Sequence, residues 1–133
     1  KPLQTNFHKE IKMKKLPLIA LLAISLTGCT YKSAEYSLLS NKNIDITHTK
    51  NLIRGDLVSG VNASPVIGIF GGHTDTNSAL HEAINKDKCT VALTDVSITA
   101  QELWLVAIGF NSKKVEGRQL IDSSLPGCEN RRY

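Results

Sequence analysis

Residues 89–110 read CTVALTDVSITAQELWLVAIGF, and the periodicity of this stretch decides the fold. From 89 to 99 apolar and polar residues alternate, with Val91 and Leu93 on one face and Ala92, Val96 and Ile98 distributed across the other, a period-two pattern that predicts a strand. The next run, ELWLVAIGF (102–110), is almost continuously apolar. It predicts a central strand with both faces covered, or a surface that meets a partner. NSKK (111–114) reads as a turn and KVEGRQLI (114–121) as a closing strand.

Working outward towards the N-terminus, GGHTDTNSALHEAINKDK (71–88) changes period. Thr74 or Asp75 suits a helix N-cap because its side-chain oxygen can accept from an unpaired first-turn amide. Ala79, Leu80, Ala83 and Ile84 then fall on one helical face, and the helix ends near Lys86, with Lys86 and Lys88 suited to its C-terminus. SPVIGIF (64–70) is an apolar, β-branched run bounded by Pro65 and Gly71, which predicts a buried strand. NLIRGDLVSGV (51–61) has apolar pairs broken by Gly55 and Gly60, an irregular strand. NIDITHT (43–49) alternates Ile44 and Ile46 with polar residues, a further strand. The order β-β-β-α-β-β-β predicts an α+β domain over residues 44–133, a mostly antiparallel sheet of about five or six strands with one helix packed on a face. Residues 30–43, TYKSAEYSLLSNKN, are polar and without period, so residues 29–43 read as a tether, spanning roughly 20 Å if flexible.

The 133 residues suit one domain. The formal net charge of +4 would suit a nucleic-acid or membrane-surface binder, but the excess is local. Five basic residues and one acid precede Cys29, whereas 11 basic residues meet 11 acidic ones from Cys29 onward. With aromatics at 5%, there is also little material for base stacking, and no nucleic-acid partner is expected.

The basic N-terminus introduces a second signal. Met13 is followed by Lys14 and Lys15 and then by LPLIALLAISL, 11 apolar-rich residues from Leu16 to Leu26. As a helix this run spans about 16 Å, half a bilayer core, which suits a secretory signal peptide over residues 13–28 better than a transmembrane span. Residues 1–12 precede the methionine and read as an upstream extension. LTGC (26–29) resembles the lipobox of bacterial lipoproteins. The resemblance implies diacylglyceryl attachment at the Cys29 thiol, cleavage between Gly28 and Cys29, and a membrane partner engaged through N-terminal lipid. Thr30, in place of an aspartate, implies the outer membrane and a domain facing the periplasm, with the inner membrane or the cell surface as alternatives.

Lipid at Cys29 resolves the cysteine count, because Cys89 and Cys128 remain as one pair, expected to form a disulfide in an oxidising compartment. The run RGDLVSGV…PVIGIFGGHTDTNSALHEAINK…CTVALTDVSI resembles small bacterial lipoproteins of the TRL-like kind over some 60 residues, about the length of one small module. This chain carries NKDKC where those proteins often have a Gly-rich segment, and no catalytic residues transfer.

Other motifs carry little chemistry. GIFGGHTD (68–75) fits neither phosphate-binding glycine spacing, and Asp75 sets negative charge where a phosphate would sit. His73, Asp75 and His81 are too scattered along a loop and two helical turns for a metal site, and two isolated cysteines lack zinc-site spacing. No catalytic residues, metal or cofactor are therefore assigned. Trp104, Val106, Ile108 and Phe110 are candidates for core or interface. The function expected is a lipid-anchored periplasmic binding or scaffolding module with an envelope protein partner. Alternatives are a regulator or inhibitor of cell-wall enzymes and a plasmid- or phage-type surface-exclusion lipoprotein.

Overall fold

A computed structural model describes residues 26–131. The expected upstream extension (1–12) and all but the last three residues of the expected signal peptide (13–28) lie outside the described residues. The fold is α+β: one antiparallel sheet of five strands with a single α-helix. In chain order the elements are β1 (Leu26–Leu39), a 3-10 turn (Thr49–Asn51), β2 (Leu52–Ile67), β3 (Phe70–Gly71), α1 (Thr76–Ile84), β4 (Thr90–Leu105) and β5 (Ile108–Asp122). The spatial order is β1-β4-β5-β2-β3, so β5 lies at the centre and β1 forms one edge.

The helix forms where the 3.6-residue period predicts it. Asp75 is its N-cap, with side-chain oxygens accepting from the amides of Asn77 and Ser78 at 3.1 Å each. The Asn77 amide first, then the Ser78 hydroxyl and amide, hold the Asp75 carboxyl below its ordinary pKa of 3.8. Ala79, Leu80, Ala83 and Ile84 are all buried, packed with Leu93, Val96, Ile98 and Val115 of the sheet. Two alanines face the sheet because the helix backbone sits almost on β2. A Cβ on Gly60 would stand 2.0 Å from the Ala79 carbonyl oxygen, so only glycine admits this approach. The helix also protects the free edge of β2. Glu82 accepts from the Val61 amide at 2.9 Å, and Asn62 Oδ1 accepts from the Asp75 amide at 2.9 Å.

A second, smaller core closes the far end. Cys89 and Cys128 form a disulfide, and together with Ile121 and Leu125 they make a buried cluster just ahead of β4. Asp87 fixes this corner: its carboxylate accepts from the Cys89 amide at 2.9 Å and pairs with Arg131 at 2.7 Å.

Several expected elements are corrected. Residues 30–43 are not a tether as far as Leu39. Residues 30–39 belong to β1, which pairs with β4 from Leu26 opposite Leu105 to Leu39 opposite Leu93. The strand hides from periodicity because it is an edge with a bulge between Lys32 and Ala34 that inverts the alternation. NIDITHT is not a strand. Asp45 instead draws the backbone into an Asx turn, accepting from the Thr47 amide at 2.9 Å and bonding the Thr47 hydroxyl and His48. The two strands expected over 51–70 are one, β2, continued by the short β3. Residues 102–110 are not a central strand. They form the end of β4, a two-residue turn at Val106 and Ala107, and the start of β5, while NSKK runs straight through β5. Finally, Asp95 (φ +50°) sits in a bulge of β4, which places Leu93, Val96 and Ile98 in one core rather than on two faces.

Candidate functional site

The register of the four long strands places chemistry in rows across the face of the sheet opposite α1. Residues paired directly across antiparallel strands share a face, and successive rows lie two residues, about 7 Å, apart. The outermost row contains Leu105, Ile108 and Ile67, extended by Phe70 of β3. The second contains Gly28, Leu103, Phe110 and Pro65. The third is uncharged and mostly polar: Thr30, Gln101, Ser112 and Ala63. The fourth brings the first charges on this face, Lys32 and Lys114, beside Thr99 and Val61. In the fifth, Glu35 and Glu116 pair back to those lysines at 2.6 and 2.8 Å. This face therefore runs from apolar to polar to charged along the strand direction.

Two turns close the apolar end. Gly68 and Ile69 join β2 to β3, and Val106 and Ala107 join β4 to β5; the Gly68 amide donates to the Ala107 carbonyl at 2.7 Å, tying the tips together. Ile69 is 91% and Val106 85% exposed. Water-facing hairpin turns of this length ordinarily use Asn, Asp or Gly, which accept positive φ; here a β-branched valine carries φ +56°.

Of the residues singled out from sequence, Val106, Ile108 and Phe110 lie in this exposed end and not in the core. Trp104, the only tryptophan, lies on the opposite face of the same end, half-buried, with its indole over Gly109. Ile108 and Phe110 are exposed because they lie on the face of the sheet away from α1, over which no element of the described chain packs, and Val106 sits at the hairpin tip. Sequence reasoning missed Ile67, Ile69, Phe70, Leu103 and Leu105, which complete the patch. The available signal was the absence of charge: no Asp, Glu, Lys or Arg occurs over 57–72 or 103–112.

Cys29 borders this end. It is exposed and its thiol is free, in β1 opposite Glu102, with Gly28 opposite Leu103. Gly28, Cys29, Thr30, Leu103 and Phe110 line a shallow groove on the sheet. Cys89 and Cys128 lie at the opposite end and pair with each other.

The remaining candidates do not assemble. Asp75 is occupied in capping α1, and the His81 ring contacts the Asn85 side-chain amide. Among the described residues no three of His, Cys, Asp and Glu form a group able to hold a metal. The glycines of GIFGGHTD serve the chain's path into α1: Gly71 and Gly72 have φ of +89° and +80°, and the Gly72 amide donates to Pro65 O at 3.0 Å. Among the described residues, no helix is long and apolar enough to cross a membrane. Comparisons with protein-family models, curated proteins and solved structures find no match.

Proposed function

We propose that the chain is a lipid-anchored envelope lipoprotein that acts as a binding or scaffolding module in the periplasm, attached to the outer membrane through Cys29. The observation that carries this reading is the sequence LTGC behind a lysine pair and a short apolar run. The chemistry needs an accessible thiol, and Cys29 is exposed and outside the disulfide. Cleavage before Cys29 would remove only Leu26, Thr27 and Gly28 from β1, leaving residues 29–39 to hold the edge of the sheet. One acyl chain gives marginal membrane attachment and two or three give a durable one.

Cys29→Ser is expected to leave an unprocessed precursor, while the wild type matures in a globomycin-sensitive step and carries acyl groups at its first residue by mass spectrometry. A mature protein with a bare Cys29, recovered in the soluble periplasmic fraction, contradicts the reading.

A further inference from the structure

We infer that the apolar end of the sheet is a membrane-docking surface, seated in the lipid leaflet that holds the Cys29 anchor. The inference deepens the proposed function and rests on it for the membrane's identity, while the surface itself is defined independently by the sheet. The outer two rows and both turns present Ile67, Ile69, Phe70, Leu105, Val106 and Ile108 without cover from the described residues. A contiguous apolar patch of this kind on a small domain marks an interaction surface.

Lipid is the occupant favoured by the order of the rows. A protein partner's interface has an apolar centre ringed by polar groups. Here the polarity changes in one direction along the strands: two apolar rows, a hydroxyl and amide row, then Lys32 and Lys114. That sequence matches the order in which a bilayer presents acyl chains, the glycerol region and phosphate. On the other face Glu102, opposite Cys29, is the last charge before the tips.

Reach agrees with this placement. From Glu102 to Leu105 is three residues, about 10 Å of strand, so the tips extend that far beyond the level of Cys29. Amphipathic elements that lie in the membrane interface bury their apolar parts about 5–10 Å deep. At this end β5 is paired on both sides, with β4 and β2, and the turns are hydrogen-bonded to each other through Gly68 and Ala107. Cleavage before Cys29 frees the β4 edge at residues 103–105, so the docking is interfacial and does not span the bilayer. Because β1 holds residues 29–39 in the sheet, no flexible spacer separates the anchor from this end. The domain would stand upright, with the Cys89–Cys128 corner farthest from the lipid.

Trp104 supplies the test, being the sole tryptophan and located at this end. The matured full chain is reconstituted into vesicles of phosphatidylethanolamine and phosphatidylglycerol with plain or brominated acyl chains, and acylation of Cys29 is read by mass spectrometry on the same sample. With docking, Trp104 emission shifts to the blue and falls roughly two-fold in brominated vesicles, as expected for an indole at the interface. Val106→Asp combined with Ile108→Asp abolishes the quenching while the lipid keeps the protein floating with the vesicles. Asp tolerates positive φ better than Val, and an unchanged thermal transition confirms that the variant is folded.

A floating, acylated protein whose Trp104 is unquenched overturns the inference and leaves the anchor intact. If such a protein instead forms cross-linked dimers through Val106→Cys, the surface belongs to a second copy. A chain with a bare Cys29 overturns the anchored reading, and its Trp104 then decides docking alone: quenching on added vesicles supports the surface, and its absence overturns it.

Discussion

Leu93 and Leu105 occupy the same strand, β4, in the same ladder with β1 and β5, yet they live in different environments. Leu93 is fully buried beneath α1, whereas Leu105 is 47% exposed. The covered half of the sheet has the helix on one side and the disulfide-held tail at its corner. The outer half has neither. Hydrogen bonding and residue type are alike, but Leu93 faces α1 whereas Leu105 points to the opposite face, which no described element covers, so the difference lies in what packs on each face. The covered residues stabilise the fold through removal from water, about 1.5–3 kcal/mol for a fully buried aliphatic side chain. The outer ones contribute little to folding and are left uncovered by the described residues.

Breaking the staple at the covered end has the largest expected effect. The bridge closes a separation of 39 residues, and releasing a loop of that size costs about 4 kcal/mol on the chain-entropy model. The double variant Cys89→Ser, Cys128→Ser should therefore show a much lower urea midpoint than the oxidised wild type. A midpoint equal to that of wild type would mean that the tail's other contacts, such as the Asp87–Arg131 pair and the Ser123–Asn51 hydrogen bonds, hold it without the bridge. Next comes Leu93→Ala, which opens a cavity between α1 and the sheet and should lower unfolding free energy by about 3 kcal/mol. Thermal and urea unfolding measure it directly; a loss under one-third of that size would place the main core elsewhere.

The same contrast explains what could be read from the sequence. The helix was legible because Asp75 supplies a cap and Ala79, Leu80, Ala83 and Ile84 repeat at helical spacing beneath it. The Cys89–Cys128 pairing was legible by counting. Strand β1 was not, since an edge strand need not alternate and the Lys32/Ala34 bulge inverts what alternation there is. Gly60 reads as a strand breaker, but its missing side chain is the seat of α1, a contact set by residues 19 and 23 positions away. The turn at Val106 and Ala107 was invisible because neither residue is a turn former, so a hairpin tip looked like a buried strand. The apolar pattern was thus correctly seen in residues 102–110 and its location in the fold was not. Pattern reports hydrophobicity, and cover is a tertiary fact.

Smaller effects sharpen the boundary between the halves. Asp75 caps the helix that ends the covered region, and its folded pKa lies below the ordinary carboxylate value, chiefly through the Asn77 amide. Its contribution is complete above the unfolded pKa and disappears as pH falls through the folded one, so it is lost only in acid. Asn can cap a helix without titrating. Wild type should therefore lose stability relative to Asp75→Asn as the pH drops below about 4, with little difference between them at neutrality. Parallel pH curves would show that the cap does not depend on charge.

The smallest effect is expected where the residue looks most like core. Leu105→Ala removes the same atoms from the same strand as Leu93→Ala, 12 residues further along. With no helix above it and water already at its side chain, no cavity can form and little apolar area returns to solvent on unfolding. Its unfolding free energy should stay within about 0.5 kcal/mol of wild type, the usual range for surface substitutions. Urea unfolding of the two alanine variants side by side reads the comparison in one experiment. A loss at Leu105 approaching that at Leu93 would mean that the outer half is covered in solution, and the cover would then be a second copy of the chain, revealed by a concentration-dependent midpoint. An unaffected Leu105 variant leaves that end free to serve a surface the chain does not contain.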